Sequence, residues 1–222
     1  MKSLNRRKML GLIGVAPVAS GLLTKASGQV LSANQISSRE MIRQRYFPNL
    51  ILTTHEGKKV RFYDDLIKDK IVLINMMYAK CEGICMPITA NLRKVQKLLG
   101  DRVGRDIFFY SITLKPEDDS PNALKEYSEM HGVGPGWLFL TGVPAEIESL
   151  RRKLGFTNPD PKLDADKSQH IGMVRYGNER LQLWAACPGM AHASWIVESV
   201  SFVDWPKTGP AAAQPGEKGE RK

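Results

Sequence analysis

Cysteine is scarce here, with three residues in a chain of 222. A domain of this length removes roughly 70% of its unfolded surface from water, so it needs no disulfide scaffold to fold. Long apolar runs are also missing near the N-terminus. The mildly apolar stretch at residues 10–23 is broken by Gly11, Gly14, Pro17 and Gly21, and is too short to cross a hydrocarbon core of about 30 Å comfortably as a helix. Acidic residues are absent from residues 1–28, which carry Lys2, Arg6, Arg7, Lys8 and Lys25. Those five cations, with a net two from residues 206–222, leave about two of the formal +9 for the rest of the chain. Basicity confined to a leader and a tail excludes nucleic acid as the partner. No internal repeat is present. A chain that is 42% hydrophobic and 25% charged is not disordered, collagenous or coiled-coil in its bulk.

What the leader has is Asn5-Arg6-Arg7-Lys8 ahead of a weakly apolar stretch, closed by Ala26-Ser27-Gly28. A charged start, a short apolar run and a small-residue exit describe an export signal over residues 1–28. Its paired arginines resemble a twin-arginine leader, which exports folded proteins. The folded part is therefore expected in the periplasm; the alternative is an uncleaved anchor in the inner membrane, facing the same side. In either place two neighbouring cysteines can be oxidised or metal-bound.

Residues 29–46 carry a weak helical pattern (Ile36, Met41, Ile42) and read as a connecting arm. Residues 49–54 and 59–63 read as strands of a hairpin around His55-Glu56-Gly57. Residues 71–78 are nearly unbroken in apolar character, as in a strand buried on both faces. A helix should follow, with Pro87 at its first position and Ile88, Leu92, Val95 and Leu99 on one face, stopped by Gly100. Further strands are expected at residues 106–113 and 137–140. Helices should begin at Ser120-Pro121 and at Pro144, the second stopped by Gly155. A second hairpin is expected around Gly177-Asn178, and a last helix over residues 194–203. This order predicts an α/β fold over residues 47–205: a thioredoxin-like mixed sheet flanked by helices, with an N-terminal β-hairpin and a second hairpin inserted late. Residues 206–222, rich in Pro, Gly and Ala, are expected to be a disordered tail, and the protein to be a monomer.

The chemistry concentrates in Cys81-Glu82-Gly83-Ile84-Cys85, between the buried strand and its helix. Pro87 argues against a helix starting as early as residue 81. Cys81 is placed in the loop, with Gly83 turning the chain and Cys85 just ahead of the first helical turn. There, free N–H groups and the positive end of the helix dipole should lower the Cys85 pKa. A stabilising disulfide is the structural alternative, but the end of a crossover strand is where α/β sheets place their sites.

Two thiolates are too few for a closed metal site. Of the histidines, His55 and His131 read as solvated surface residues, and His170, opening a strand after a polar loop, is the candidate third ligand. Soft thiolates select Cu(I) and tolerate zinc, and an added imidazole also suits Cu(II). Cys187 sits in Cys187-Pro188-Gly189-Met190-Ala191-His192. That stretch offers a second soft-metal site or a resolving thiol, or simply a small buried cysteine. Met76, Met77 and Met173 read as core.

The CxxxC with its proline-led helix, then Lys115-Pro116-Glu117-Asp118-Asp119-Ser120-Pro121 followed by Leu124-Lys125-Glu126-Tyr127, then the lone His170, together resemble the SCO/SenC family over about residues 47–204. These are copper-binding, thioredoxin-like assembly factors for cytochrome c oxidase. The resemblance implies copper on Cys81, Cys85 and His170, thiol exchange by the same two cysteines, and a copper-enzyme client such as an oxidase subunit. Members usually carry proline after each cysteine, where this chain has Glu82 and Met86, and an aspartate where it has Lys115. The carboxylate of Glu82 should raise the thiol pKa values. Two functions are thus expected in competition: a copper metallochaperone, or a thiol–disulfide oxidoreductase that keeps a client's ligand cysteines reduced. Whether the protein is an enzyme stays open on these residues. A peroxide-reducing enzyme is disfavoured, because Tyr78-Ala79-Lys80 stands where a threonine would be required.

Overall fold

The computed structural model describes residues 37–204. The expected export signal, the first part of the connecting arm and the expected tail lie outside the described residues.

The chain enters through α1 (Ser38–Tyr46), whose first turn is capped by the Ser37 hydroxyl, accepting from the Glu40 N–H. A hairpin follows, β1 (Ile51–Thr54) and β2 (Lys59–Arg61). It is shorter than expected because residues 62 and 63 turn into a π-helical segment, Phe62–Ile67. Side chains close that turn: Asp65 accepts from the Arg61 N–H at 2.6 Å, and Asn49 accepts from the Tyr63 and Asp64 N–H groups. Then come β3 (Ile71–Met77), α2 (Cys85–Leu99), β4 (Ile107–Thr113), α3 (Pro121–Met130), β5 (Trp137–Thr141) and α4 (Pro144–Lys153). The chain ends through α5 (Pro161–Ala165), β6 (Met173–Asn178), β7 (Leu183–Pro188) and α6 (Ala193–Val203).

The seven strands form one sheet in the order β2-β1-β5-β4-β3-β6-β7. The strands β3, β4 and β5 are parallel, and the two hairpins add antiparallel edges. Every residue of β3 is buried, which is why its sequence reads as a continuous apolar run. The crossovers through α2 and α3 step the same way along the sheet. Right-handed connections therefore put both helices on one face, and the return from β5 to β6 puts α4 on the other. The predicted face of α2, Ile88, Leu92, Val95 and Leu99, is buried, each side chain contributing about 1.5–3 kcal/mol. A polar line fixes the register of the parallel strands: Trp137 Nε1 donates to Ser111 Oγ at 2.8 Å, and Ser111 Oγ donates to Asn75 Oδ1 at 2.7 Å.

Three expectations are corrected. The late hairpin does not turn at Gly177-Asn178; β6 and β7 stay paired through Asn178 and Leu183, and the turn lies at residues 179–182. Gly177 serves close approach instead. A Cβ there would lie 2.2 Å from Cε3 of Trp184 and 2.6 Å from the Leu183 carbonyl oxygen. Gly177→Ala should therefore cost about 1–3 kcal/mol through overpacking, measurable as a lower denaturant midpoint with an unchanged m-value. The turn's Glu179, 1% exposed, accepts from the Tyr63 hydroxyl (2.8 Å), the Asp69 N–H (2.8 Å) and Arg39 Nε (2.7 Å), clamping α1 to the domain.

His55 and His131 are not solvated surface residues. His55 Nδ1 accepts from the Phe139 N–H at 3.2 Å, and the His131 ring packs 4.2 Å from that of Tyr127. Burial lowers the pKa of both. Cys187 is not in a loop either. It lies in β7, fully buried, and burial raises its thiol to about 11. The small-buried-cysteine reading holds for it.

Candidate metal centre

The chain leaves β3 at Met77 and reaches α2 at Cys85. Cys85 is the first residue of the helix rather than the residue ahead of it, with Ile84 as N-cap. Pro87 is thus the third helical residue, still among those whose N–H has no intrahelical partner, so its missing donor costs nothing. Cys81 closes a turn by donating its N–H to the Tyr78 carbonyl at 3.2 Å. Gly83 does not adopt a positive φ, so the loop does not depend on glycine's left-handed conformation.

His170 lies three residues before β6 rather than at its first position, after a single 3-10 turn, Lys167–Gln169, capped by Asp166. The strand β6 runs antiparallel to β3, with Val174 opposite Asn75, so its entry meets the exit of β3. Gly172 holds the approach close: its carbonyl accepts from the Gly189 N–H at 2.8 Å, and a Cβ on it would lie 2.5 Å from Cδ1 of Ile84.

The result is convergence of three side chains separated widely in sequence. Cys85 Sγ and His170 Nε2 are 3.1 Å apart, and the donor atoms of Cys81, Cys85 and His170 all lie within 4.8 Å of one another. Both thiols are buried, at 4% and 1% exposure, whereas His170 is half-buried. The Tyr78 ring meets that of His170 edge-on at 6.1 Å, and Lys115 Nζ lies 4.5 Å from the centre of the Tyr78 ring.

The electrostatics reverse the expected order of the thiols. Burial pushes the Cys85 thiol well up, and its hydrogen bond to Cys81 adds to this. At Cys81 burial also raises, but hydrogen bonds from the Cys85 thiol, the Cys85 and Gly83 N–H groups and the Tyr78 hydroxyl outweigh it, leaving this thiol below its ordinary value. The helix N-terminus therefore stabilises a thiolate on Cys81, through the Cys85 N–H, rather than on Cys85 itself. Glu82 is exposed, and the charge that raises Cys85 besides Cys81 is that of Asp119. Burial lowers the His170 pKa, so at neutral pH its imidazole is in the neutral form that ligates metals.

Asp119 stands in the motif that carries the family resemblance, but the sequence assigned it no role of its own. At 2% exposure, its carboxylate accepts from the Thr113 hydroxyl at 2.5 Å and from the Ala79 N–H at 3.1 Å, tying the loop after β3 to the end of β4. Sequence reasoning missed Arg151. Its buried guanidinium binds Asp164 (2.7 and 2.8 Å), Glu148 (2.7 and 2.8 Å) and the Phe156 carbonyl (2.6 Å), organising the segment that leads to His170. No other group of three His, Cys, Asp or Glu side chains among the described residues is placed to hold a metal. Met190 is exposed, and His192 Nδ1 pairs with Ser194 Oγ at 2.8 Å.

The family model SCO1/SenC matches residues 41–182, more than half of the chain and all three converging residues. This chain belongs to the SCO1/SenC family. A curated relative, the SCO1 protein homolog of Bacillus subtilis (strain 168), is 32% identical over 100 residues, 44% of this chain. The match spans 50% of that relative's length. Among solved structures, Bradyrhizobium japonicum ScoI with copper bound is similar at a TM-score of 0.56 and 21% identity, over 69% of this chain and 96% of that one. BsSco, described as a member of the Sco family of cytochrome c oxidase assembly proteins with a disulfide switch, is similar at 0.57 and 24%, over 71% and 92%. The fold of this SCO1/SenC chain is accordingly the thioredoxin-like one of Sco proteins, a seven-stranded mixed sheet flanked by helices. Two thiols and a neutral imidazole make a donor set that suits copper. No helix among the described residues is long and apolar enough to cross a membrane.

Proposed function

We propose that this chain is a periplasmic copper carrier. Residues 1–28 direct export, residues 29–46 connect, and the domain at 47–205 binds one copper ion through Cys81 Sγ, Cys85 Sγ and His170 Nε2. It hands that ion to a copper enzyme such as a cytochrome c oxidase subunit. The observation that carries this reading is the approach of the three donor atoms to within 4.8 Å of one another. Three protein ligands leave a coordination position free, which suits cargo that must be passed on. ScoI of Bradyrhizobium japonicum with copper bound supports the metal, and the description of BsSco supports the client.

Binding must displace protons, because the Cys85 thiol is held protonated at neutral pH and a metal takes the thiolate. Adding Cu(I) anaerobically to the reduced chain near pH 7.5 should release between one and two protons per copper. Affinity should rise about tenfold per pH unit for each proton displaced. The lowered His170 pKa delays competition at the imidazole to below its ordinary value of about 6.5. Copper uptake without proton release contradicts thiolate ligation.

A second reading, thiol–disulfide exchange, is favoured by the asymmetry of the pair. The Cys81 thiolate would attack a client disulfide and release one client thiolate. Cys85 would then lose its proton and attack Cys81 in the mixed disulfide, leaving a Cys81–Cys85 disulfide and two client thiols, with two electrons passed to the client. It ranks second because exchange makes no use of the His170 imidazole that converges on the two sulfurs.

A further inference from the structure

Tyr78, the first residue after β3, touches every member of the sulfur–imidazole cluster. Its hydroxyl hydrogen-bonds the Cys81 sulfur, and its backbone N–H the Cys85 sulfur. Its ring meets that of His170 edge-on, with centroids 6.1 Å apart and planes at 67°. The backbone on either side is tied down. The Met77 carbonyl accepts from the Leu114 N–H at 2.7 Å, the Tyr78 carbonyl accepts from the Cys81 N–H at 3.2 Å, and the Ala79 N–H donates to Asp119 at 3.1 Å. With its side chain buried on so constrained a backbone, the hydroxyl is in place before any metal arrives.

The face of the same ring carries a cation, Lys115 Nζ, 4.5 Å from its centre. Lys115 makes no ion pair among the described residues; Asp119 and Asp166 are the carboxylates that feel its charge, at longer range. A cation held over a π face draws electron density from the ring, and a phenol so depleted donates a stronger hydrogen bond. Hydrogen bonds to a cysteine sulfur are among the features that tune a copper potential. A donor drains density from the thiolate, and Cu(II) depends on that density more than Cu(I) does.

On the copper reading given above, we propose that Tyr78 is a positioning residue that biases the centre toward Cu(I) over Cu(II). It acts through its hydroxyl on Cys81 Sγ, and Lys115 strengthens that hydrogen bond from the ring face. The carrier thereby favours its cargo in the reduced state.

The test is a mediated spectroelectrochemical titration of the full chain loaded with one equivalent of copper. Tyr78→Phe keeps the ring between His170 and Lys115 and removes only the hydroxyl. It should lower the Cu(II)/Cu(I) midpoint by about 59 mV, a tenfold loss of preference for Cu(I). In the Cu(II) form, the thiolate-to-copper charge-transfer band should move to longer wavelength, because an undrained sulfur gives up its electron more easily. Lys115→Met, which leaves an apolar stem over the ring, should shift both readouts the same way by a smaller amount. A midpoint that is unchanged or raised in Tyr78→Phe, or a band that stays in place, overturns the proposal. If Tyr78→Phe fails to fold, an unchanged midpoint in Lys115→Met overturns it. Wild type that takes up one copper while Tyr78→Phe matches it in potential and spectrum overturns this inference alone. Wild type that takes up no copper overturns the carrier reading and this inference with it.

Discussion

His170→Ala should lower the Cu(I) affinity of the reduced chain by more than about a hundredfold, above the 10–100-fold that loss of an outer-shell partner usually costs. Among the described residues His170 is the one histidine side chain placed with the two sulfurs, and its Nε2 already stands 3.1 Å from Cys85 Sγ. Removing it leaves a two-thiolate site that any competing chelator can strip. The same substitution should leave thiol exchange with a small disulfide within about a factor of three, because the hydrogen bonds that favour the Cys81 thiolate come from Cys85, Gly83 and Tyr78. Cys81→Ser should lose both activities. Competition titration against a Cu(I) chelator, paired with an exchange assay on the same preparations, reads the two effects. Equal Cu(I) affinity for wild type and His170→Ala would remove the carrier mechanism and leave exchange standing.

Arg151→Ala should destabilise the domain by about 3–5 kcal/mol, the usual cost of taking one partner from a buried ion pair. For a domain of this size that lowers the melting temperature by roughly 10 °C. The guanidinium is 4% exposed and Asp164 10%, so the substitution strands a carboxylate out of water and frees the Phe156 carbonyl. Its pH signature follows from the acids it holds. Arg151 keeps the Asp164 carboxyl well below the usual carboxylate range and brings Glu148 to about 2. Groups with depressed folded pKa values contribute stability that is present above their unfolded values, near 4, and is lost as pH falls through the folded values. Wild type should therefore lose stability steeply between about pH 5 and pH 2, and Arg151→Ala much less so over that window. Thermal melts across that range measure both. A variant that melts like wild type at pH 7 would contradict the role of the clamp.

Hydropathy made the centre of this molecule legible. A strand buried on both faces has no polar side to show, so β3 stood out, and a single buried face made α2 equally plain. The convergence of Cys81, Cys85 and His170 was legible for a different reason: two cysteines leading into a helix and one histidine ahead of a hairpin are chemically distinctive wherever they fall. What stayed hidden depended on contacts across the fold. Gly177 looks like a turn residue until Trp184 is seen lying on it. The thiolate moved from Cys85 to Cys81 because burial depth and N–H direction, neither visible in a string of letters, decide between two sulfurs four residues apart. Asp119 and Arg151 belong to no periodicity, and only packing reveals that one ties down the loop after β3 and the other the approach to His170. Lys115, standing where the family resemblance leads one to expect an aspartate, rests over the Tyr78 ring, whose edge meets His170.

X-ray absorption at the copper edge, on the full reduced chain loaded anaerobically with one equivalent of Cu(I), tests the ligand set most directly. The spectrum should require two sulfur scatterers and one imidazole nitrogen about a single copper. A shell of sulfur alone, or a spectrum unchanged by His170→Ala, would contradict the three-ligand centre.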